Sequence, residues 1–231
     1  MTKKDLKIIG IIPARGGSKL IPGKNIKPLL GKPLIAYTIE VALEAGCLDR
    51  IIVSTDDGKI AEIAKEYGAE VPFIRPTSLA LDSTPMLPVL QHAIEYLQKE
   101  EDYSPDVIVL LQPTSPLRKV EHIKEALEIF LERDVDSVIS INEIRQRFGK
   151  FHQGVFESYF EEGLGRKDVE PFYYENGLIY VSKVENIVKR GSLYGQKIGA
   201  FIVEEGVSID TDTPFEFQLA ELMLKRYQEG Q

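Results

Sequence analysis

Several features that mark common functional classes are missing from this 231-residue chain. Its single cysteine, Cys47, excludes an internal disulfide framework. Its three histidines, His92, His122 and His152, show no spacing typical of metal ligands. Lys and Arg number 28 against 36 Asp and Glu, and the net charge of -8 argues against a broad basic surface for nucleic acid. No stretch approaches the roughly 20 apolar residues that span a membrane.

The length and the first residues set two further expectations. A chain of 231 residues favours one domain over two, so we expect a single domain over residues 1–231. Residues 1–5, Met-Thr-Lys-Lys-Asp, lead into an apolar strand and lack the apolar core of a signal peptide. The sequence therefore predicts a cytoplasmic protein that does not insert into a membrane.

The rest of the chain alternates between strand-like and helix-like segments. Strand-like runs lie at residues 6–12, 50–54, 71–75, 107–111, 137–141, 171–181 and 198–203. Helical periodicity covers residues 33–45, 58–67, 85–99, 120–132 and 214–228. This alternation predicts an α/β fold, with a mostly parallel sheet and helices on both faces.

The most informative segment is a loop of small residues after the first predicted strand. Gly16 and Gly17 allow backbone N–H groups to approach an anion closely. Arg15, Lys19 and Lys24 supply charge-assisted donors for a polyphosphate. The loop lacks the Gly-Lys-Ser/Thr ending of a P-loop and the three-glycine spacing of a dinucleotide fold. We therefore predict a phosphate-binding loop of another kind, with an idle surface turn as the alternative.

Polar side chains also follow later strands, at the edge where open α/β sheets bind ligands. Asp56 can hold a nucleotide hydroxyl, hold the loop, or cap the next helix. Gln112 lies in a turn fixed by Pro113 and Pro116, and its amide offers both a donor and an acceptor to a ligand. A rigid connector without a ligand is the alternative for this turn, and Arg118 is expected to stabilise it.

Two aspartates near the C-terminus form a candidate metal site. Asp210 and Asp212 flank Thr211, and residues two apart in an extended segment point to the same side. Both carboxylates can therefore face one Mg²⁺ ion, which prefers carboxylate and phosphate oxygens. The alternative is a capping cluster before Pro214, with Asp212 as the helix cap.

Five blocks of this sequence resemble the acylneuraminate cytidylyltransferase family, which activates nonulosonic, sialic-type acids. The blocks are Pro-Ala-Arg-Gly-Gly-Ser-Lys at 13–19, Pro-Gly-Lys-Asn at 22–25, Ile-Ile-Val-Ser-Thr-Asp at 51–56, Leu-Gln-Pro-Thr-Ser-Pro-Leu-Arg at 111–118 and Ser-Ile-Asp-Thr-Asp at 208–212. The resemblance implies a Rossmann-like nucleotidyltransferase fold. It also implies that the protein joins CMP from CTP to an acidic sugar and releases pyrophosphate.

The resemblance further implies roles for individual residues. The nucleotide would be bound by Ala14, Arg15, Gly16, Lys19, Lys24, Asn25, Arg75 and Gln112. Mg²⁺ would be held by Asp210 and Asp212, and catalysis would fall to Arg15, Lys24 and Asp212. For Arg75, a surface arginine at a strand end is the alternative.

Residues 142–170 form a polar and aromatic insertion. Its rings are too many for a solvated loop and are typical of an interface; they are Phe148, Phe151, Phe156, Tyr159 and Phe160. The resemblance implies a dimerisation arm that reaches the sugar pocket of a partner subunit, so we expect a homodimer. A local mini-core under the insertion is the alternative.

Departures from the family pattern leave the acceptor open. The run Tyr-Tyr-Glu-Asn-Gly at 173–177 lacks the arginine that the family usually carries shortly before Asn-Gly, and Met86 stands where sialate-specific members have a serine. The acceptor is a nonulosonic acid, a shorter ulosonic acid or a phosphonate. A non-catalytic nucleotide-sugar-binding module and a glycosyltransferase are the competing interpretations.

Overall fold

The computed structural model describes residues 6–160, 163, 170–204 and 206–230. In these residues the strands are β1 (Ile8–Pro13), β2 (Pro28–Leu29), β3 (Lys32–Pro33), β4 (Arg50–Ser54), β5 (Val107–Leu110), β6 (Ser137–Ile144), β7 (Gly149–His152), β8 (Val155–Ser158), β9 (Phe172–Lys183) and β10 (Ile198–Ile202). Six of them form one sheet in the order β10-β6-β9-β5-β1-β4. The strands β2 and β3 form one small hairpin, and β7 and β8 form another.

The helices of the same residues are α1 (Leu34–Ala45), α2 (Gly58–Glu66), α3 (Met86–Glu100), α4 (Val120–Glu132), α5 (Val184–Lys189) and α6 (Pro214–Gln228). Short 3₁₀ turns lie at Lys24–Ile26 and Thr77–Leu79. None of the helices in the described part of the chain is both long and apolar enough to cross a membrane.

The central sheet is buried on both faces because successive strand residues point to opposite sides. On one face Ile9 and Ile11 pack in a cluster with residues of α3 and α5. On the other, Ile8 and Ile12 pack in a cluster with residues of α1, α2 and α4. Pairing is parallel between β1 and its neighbours β4 and β5 and between β6 and β10, whereas β9 runs antiparallel to β5 and β6. The predicted α/β fold with a mostly parallel sheet is confirmed.

The strand predicted at residues 71–75 is wrong. Glu70 pairs with β4 by accepting from Val53 N and donating to Ile51 O, both over 2.8 Å. The pairing stops there, because Pro72 has no N–H to donate to a ladder. The chain continues beside β4 in irregular conformation and ends in the 3₁₀ turn after Pro76.

The insertion contains the β7–β8 hairpin and includes the local mini-core that the sequence left as an alternative to an interface. The Phe148 ring lies 5.2 Å from the ring centroid of Phe160 and 4.9 Å from that of Phe172, which makes a small aromatic core. The rings of Phe151 and Phe156, by contrast, are 73% and 57% exposed. Residues 161–162 and 164–169 of the predicted arm lie outside the described residues.

Candidate active site

The loop after β1 is held by the ends of neighbouring strands. Ala14 N donates to Ser54 O over 2.9 Å, and Gly16 N donates to Asp56 Oδ1 over 3.0 Å. A Cβ at residue 16 would come within 2.7 Å of the Asp57 carboxylate, so this position requires glycine. The loop backbone is therefore fixed before any ligand binds.

The role of Asp56 follows from these contacts. Of the three roles that the sequence allowed, the structure gives the holding of the loop through Gly16 N. The cap of α2 is the next residue, Asp57, which accepts from Lys59 N and Ile60 N. The alternative that Asp56 caps the helix is wrong by one residue, because either aspartate precedes a helical pattern.

A second contact fixes the backbone beside the first cation. Asn25 is 6% exposed, and its Nδ2 donates to Arg15 O over 2.9 Å. It lies in the 3₁₀ turn after Gly23, whose φ of 63° is in the left-handed region that favours glycine. Asn25 thus supports Arg15 as well as lining the cleft described below.

The three cations of the loop are paired with carboxylates. Arg15 and Lys19 both form ion pairs with Asp82, and Lys24 Nζ lies 2.5 Å from Asp212 Oδ1. Hydrogen bonds from Lys19 and Arg15 hold the pKa of Asp82 below its usual range. Sequence reasoning missed Asp82 as a partner of the loop, because its position before α3 gives no sign of what lies across the cleft.

Arg75 is a buried residue with an unused donor. It is 4% exposed, and its Nη2 donates to Ser54 O over 2.7 Å. Its Nε is buried without a hydrogen-bond partner. Burial lowers the pKa of this guanidinium, while the carboxylate of Asp56 opposes the shift. The alternative of a surface arginine is therefore wrong.

The turn after β5 is held from behind by a buried arginine. Arg118 is 3% exposed and donates to Leu178 O, Thr38 Oγ1 and Gln112 O over 2.9, 3.0 and 2.8 Å. Burial lowers its pKa to about 9. The expectation that Arg118 stabilises the turn is confirmed. Gln112 itself donates from Nε2 to Gly177 O over 3.3 Å.

The two aspartates lie next to this turn. Thr211, between them, donates through N and Oγ1 to Thr114 O over 2.8 and 3.1 Å. Asp210 Oδ1 is buried without a hydrogen-bond partner. Burial raises the pKa of Asp210, and a hydrogen bond with the Thr114 side chain opposes the rise; the charge of Asp212 adds to it and Lys24 opposes it. The described residues contain no group of three or more His, Cys, Asp or Glu side chains that could hold a metal ion.

The capping alternative for this pair is wrong. The N-cap of α6 is Thr213, whose side chain accepts from Glu216 N while the Glu216 carboxylate accepts from Thr213 N. Asp212 takes no part in this capping box. Its side chain is 59% exposed and pairs with Lys24.

Most of the predicted site residues meet in one cleft of about 200 Å³. Six of them line it: Arg15, Lys24, Asn25, Arg75, Gln112 and Asp212. Leu79, Leu81 and Thr84 from the segment before α3, which sequence reasoning did not find, complete one wall together with Met86, the first residue of α3. Of the remaining predicted residues, Ala14 and Gly16 support the loop from behind, and the Lys19 side chain is 79% exposed at the rim.

A second cavity of about 490 Å³ lies on the other side of the aspartate pair. Asp210 is part of its lining. Three segments form the rest of the wall: Tyr174, Glu175 and Asn176 of β9; Ser208 and Ile209; and Thr213, Phe215, Glu216 and Leu219 near the start of α6. The segment 210–212 therefore separates two cavities. We call the first the cation cleft and the second the acid-lined cavity.

Comparisons with known proteins agree with this geometry. The family model described as cytidylyltransferase matches residues 9–229. A CMP-N,N'-diacetyllegionaminic acid synthase of Legionella pneumophila is 38% identical, over 97% of this chain and 99% of its own length. A pseudaminic acid cytidylyltransferase of Campylobacter jejuni is 32% identical, over 95% of this chain and 97% of its own. An N-acylneuraminate cytidylyltransferase of Streptococcus agalactiae is 37% identical over 92% of this chain. The match covers only 52% of the length of that protein.

Solved structures share the fold at low sequence identity. A CMP:2-keto-3-deoxy-manno-octonic acid synthetase complexed with CTP superposes with a TM-score of 0.72 at 17% identity, over 96% of this chain and 99% of that chain. The 4-diphosphocytidyl-2C-methyl-D-erythritol synthase of Anaerococcus prevotii gives a TM-score of 0.68 at 14% identity, with coverages of 96% and 99%. The family match and the similar relatives together establish that this chain belongs to the cytidylyltransferase family and is a nucleotidyltransferase.

Proposed function

We propose that the protein transfers CMP from CTP to the anomeric hydroxyl of a sugar acid, a nonulosonic or related ulosonic acid, and releases pyrophosphate. The observation that carries this proposal is the placement of Asp210 and Asp212 between two cavities, one rich in cations and one without them. A triphosphate needs the first kind of cavity, and a polyhydroxylated acceptor fits the second. The printed names of the relatives, which concern legionaminic, neuraminic and pseudaminic acids, support the same acceptor class.

The proposed reaction is an in-line displacement at the α-phosphorus. The acceptor hydroxyl oxygen forms the new P–O bond, and the bond to the oxygen that bridges to the β-phosphate breaks. Arg15 and Lys24 hold the triphosphate and neutralise the charge that develops on pyrophosphate. Lys24 also reaches Asp212, which can orient the hydroxyl while its proton is lost to solvent. Positioning and charge neutralisation account for the rate.

We propose Mg²⁺ as the metal at the aspartate pair. The residues fit a hard cation, because Asp210 Oδ1 is buried without a partner and Asp212 lies beside it on the cleft side. When bound, the metal would neutralise phosphate charge. Without it, Asp210 keeps a buried carboxylate oxygen that no hydrogen bond stabilises, which is a costly arrangement.

The test is pyrophosphate release from CTP and Mg²⁺ with a panel of acids. Nonulosonic and ulosonic acids should release pyrophosphate in proportion to the CMP-conjugate formed. Release only with phosphonates would favour the alternative of a non-sugar acceptor. No release with any acid, despite CTP binding, would favour the non-catalytic module, and release of a sugar from a preformed CMP-sugar would favour a glycosyltransferase.

We further propose that the described hairpin of the insertion docks on a second copy of this chain, as the family resemblance implies. Two observations support this dimer. The apolar side chains of Phe151, Val155 and Phe156 are exposed, and isologous dimers are the commonest closed assemblies. Residues 1–231 are proposed to be one domain, with residues 142–170 as its protruding insertion. A cytoplasmic location stays a prediction.

Light scattering at micromolar concentration tests the dimer. The expected mass is twice 26.0 kDa. Replacing Phe151 and Phe156 with Ser should yield monomers that still bind CTP. The control is Leu43→Ser, because that side chain is 45% exposed on α1 and lines neither cavity, and the variant should remain dimeric. A wild-type monomer would rule out the dimer.

A further inference from the structure

We propose that Glu175 determines acceptor specificity. Its carboxylate accepts a hydrogen bond from a hydroxyl or N–H group at the end of the acceptor remote from the acceptor's own carboxylate, and it excludes acceptors with a second anionic group at that end. This inference rests on the proposed function and names the acceptor chemistry that the acid-lined cavity selects.

The charge of the cavity is the first observation. Its lining contains Glu175, Asp210 and Glu216, and no Lys, Arg or His is among the described residues that line it. Like charges repel, and because Glu175 is an exposed side chain, solvent weakens this repulsion without reversing its sign. A group with its own negative charge therefore meets repulsion throughout this cavity. The single carboxylate of a sugar acid must meet a cation outside this cavity, and Lys24 is paired with Asp212 in the adjoining segment.

The second observation is that Glu175 is held in place by two phenols. Tyr194 Oη donates to Glu175 Oε2 over 2.7 Å, and Tyr180 Oη approaches the same oxygen at 3.5 Å. Burial and the Glu175 charge raise the pKa of Tyr180 to about 12, so this phenol keeps its proton at neutral pH. Both donors serve one carboxylate oxygen. A carboxylate held in one position is pre-organised to bind a ligand group.

The other oxygen of Glu175 has no such partner. Among the described residues no hydrogen bond or ion pair reaches Glu175 Oε1. An ionised carboxylate can only accept hydrogen bonds, so the ligand atom that meets Oε1 must be a donor. A hydroxyl or N–H group supplies it, whereas a phosphate or carboxylate at that place offers only oxygens.

The other two acids of the cavity are already committed. Glu216 Oε2 accepts from Thr213 N and Thr213 Oγ1, both over 2.8 Å, and closes the cap of α6. Asp210 belongs to the proposed metal pair. Glu175 is therefore the acid that is left to contact the distal part of an acceptor.

The experiment compares two versions of one acid. The acid that gives most pyrophosphate release in the panel is assayed beside its monophosphate ester at the carbon farthest from the carboxylate. Wild-type protein should prefer the unphosphorylated acid by roughly 100-fold in kcat/KM, and Glu175→Gln should reduce that preference by about tenfold. Glu175→Gln preserves an oxygen for the two phenols, and its KM for CTP should equal that of wild type. Glu62→Gln, an exposed change on α2, is the matched control.

Glu175→Arg sharpens the test, because a cation at this position should make the phosphorylated acid the better substrate. Calorimetric titration of the same two acids in the presence of CMP measures their binding affinity without turnover. If Glu175→Gln and Glu175→Arg keep the wild-type preference in both measurements, the inference is overturned. Binding of the two acids with equal affinity to wild-type protein also overturns it. If the preference is found for binding but no acid yields pyrophosphate, the inference stands and the proposed reaction fails.

Discussion

The cation cleft and the acid-lined cavity meet at residues 210–212, yet they carry opposite charge patterns. The cleft presents Arg15, Lys24 and Arg75 around a volume of about 200 Å³. The cavity, at about 490 Å³, is larger, and its described lining has acids and no cation. Under the proposed function, the difference implies that the two substrates are recognised by separate means. In that proposal charge attracts the nucleotide, whereas the carboxylates of the cavity select an acceptor by its hydrogen-bond donors.

The two regions are also built differently. The cleft uses loops at strand ends, each fixed by backbone contacts such as that of Gly16 N with Asp56. The cavity uses a side-chain network between β6, β9 and the segment before α6. In it Asn176 Nδ2 donates to Asn142 Oδ1 over 2.9 Å, and Ser208 Oγ donates to the same oxygen over 2.7 Å. Substitutions can change such a network while the phosphate loop stays intact.

The largest expected effect comes from the residues between the two regions. Asp210→Asn and Asp212→Asn should each lower kcat by about 10³-fold, because both carboxylates serve one proposed metal site. The double variant should be little worse than either single one, since residues that act as a unit are not additive. Steady-state assays over a range of Mg²⁺ concentrations measure this. Mild and additive losses would contradict a shared site.

The cleft alone is tested by its cations. Lys24→Ala or Arg15→Ala should lower kcat by roughly 10²-fold, because each removes a contact that strengthens as charge develops on pyrophosphate. Lys59→Ala, an exposed lysine on α2, is the control and should behave as wild type. A variant with normal kcat and only a raised KM for CTP would show that the cation binds ground state and transition state equally.

The sequence predicted the cleft better than the cavity for a physical reason. Strand ends and glycine-rich turns are local features, so the loop at 13–19 and the turn at 111–118 were found from residues close together in the chain. The helices at 120–132 and 214–228 were predicted to the exact residue, since apolar periodicity alone defines them. The partners Asp82 and Glu175 depend on contacts between distant segments, which local patterns do not carry.

Two further features of the fold could not be predicted from local sequence patterns. The antiparallel direction of β9 could not be predicted, because an apolar run indicates a strand but not its direction. The short helix α5 directly follows β9 and is only six residues long, too short to show a helical period. The failed strand at 71–75 was foreseeable from Pro72.

Nucleotide choice should show a smaller effect in the cleft. We expect CTP to exceed UTP by at least about tenfold in kcat/KM, a difference of ~1.4 kcal/mol. Arg75 lines the cleft, and a guanidinium N–H donor suits the N3 acceptor of cytosine, whereas N3 of uracil carries a hydrogen. Arg75→Met should bring the two nucleotides closer together in competition assays. Equal use of UTP by wild-type protein would contradict recognition of the cytosine base in the cation cleft.

The smallest effect concerns stability at the boundary of the two regions. Burial raises the pKa of Asp210, so the ionised carboxyl is less favourable in the folded protein than in the unfolded chain. At about pH 7 without metal, Asp210→Asn removes this ionisation and should raise the melting temperature by a few degrees. The gain should shrink as the pH falls through the raised pKa, because the wild-type carboxyl then takes up a proton in the folded state.

Thermal unfolding at two pH values, with and without Mg²⁺, measures this change. The control is Asp134→Asn, since the ion pair with Lys197 lowers the pKa of that exposed carboxyl and no gain is expected. Adding Mg²⁺ should stabilise wild-type protein and remove the advantage of Asp210→Asn, because a ligand that binds only the folded state raises its stability. An Asp210→Asn protein that melts below wild type without metal would mean that the hydrogen bond of the carboxylate with Thr114 outweighs the cost of its burial. The aspartate pair would then hold the fold together, and the two cavities would share a structural wall instead of a metal site.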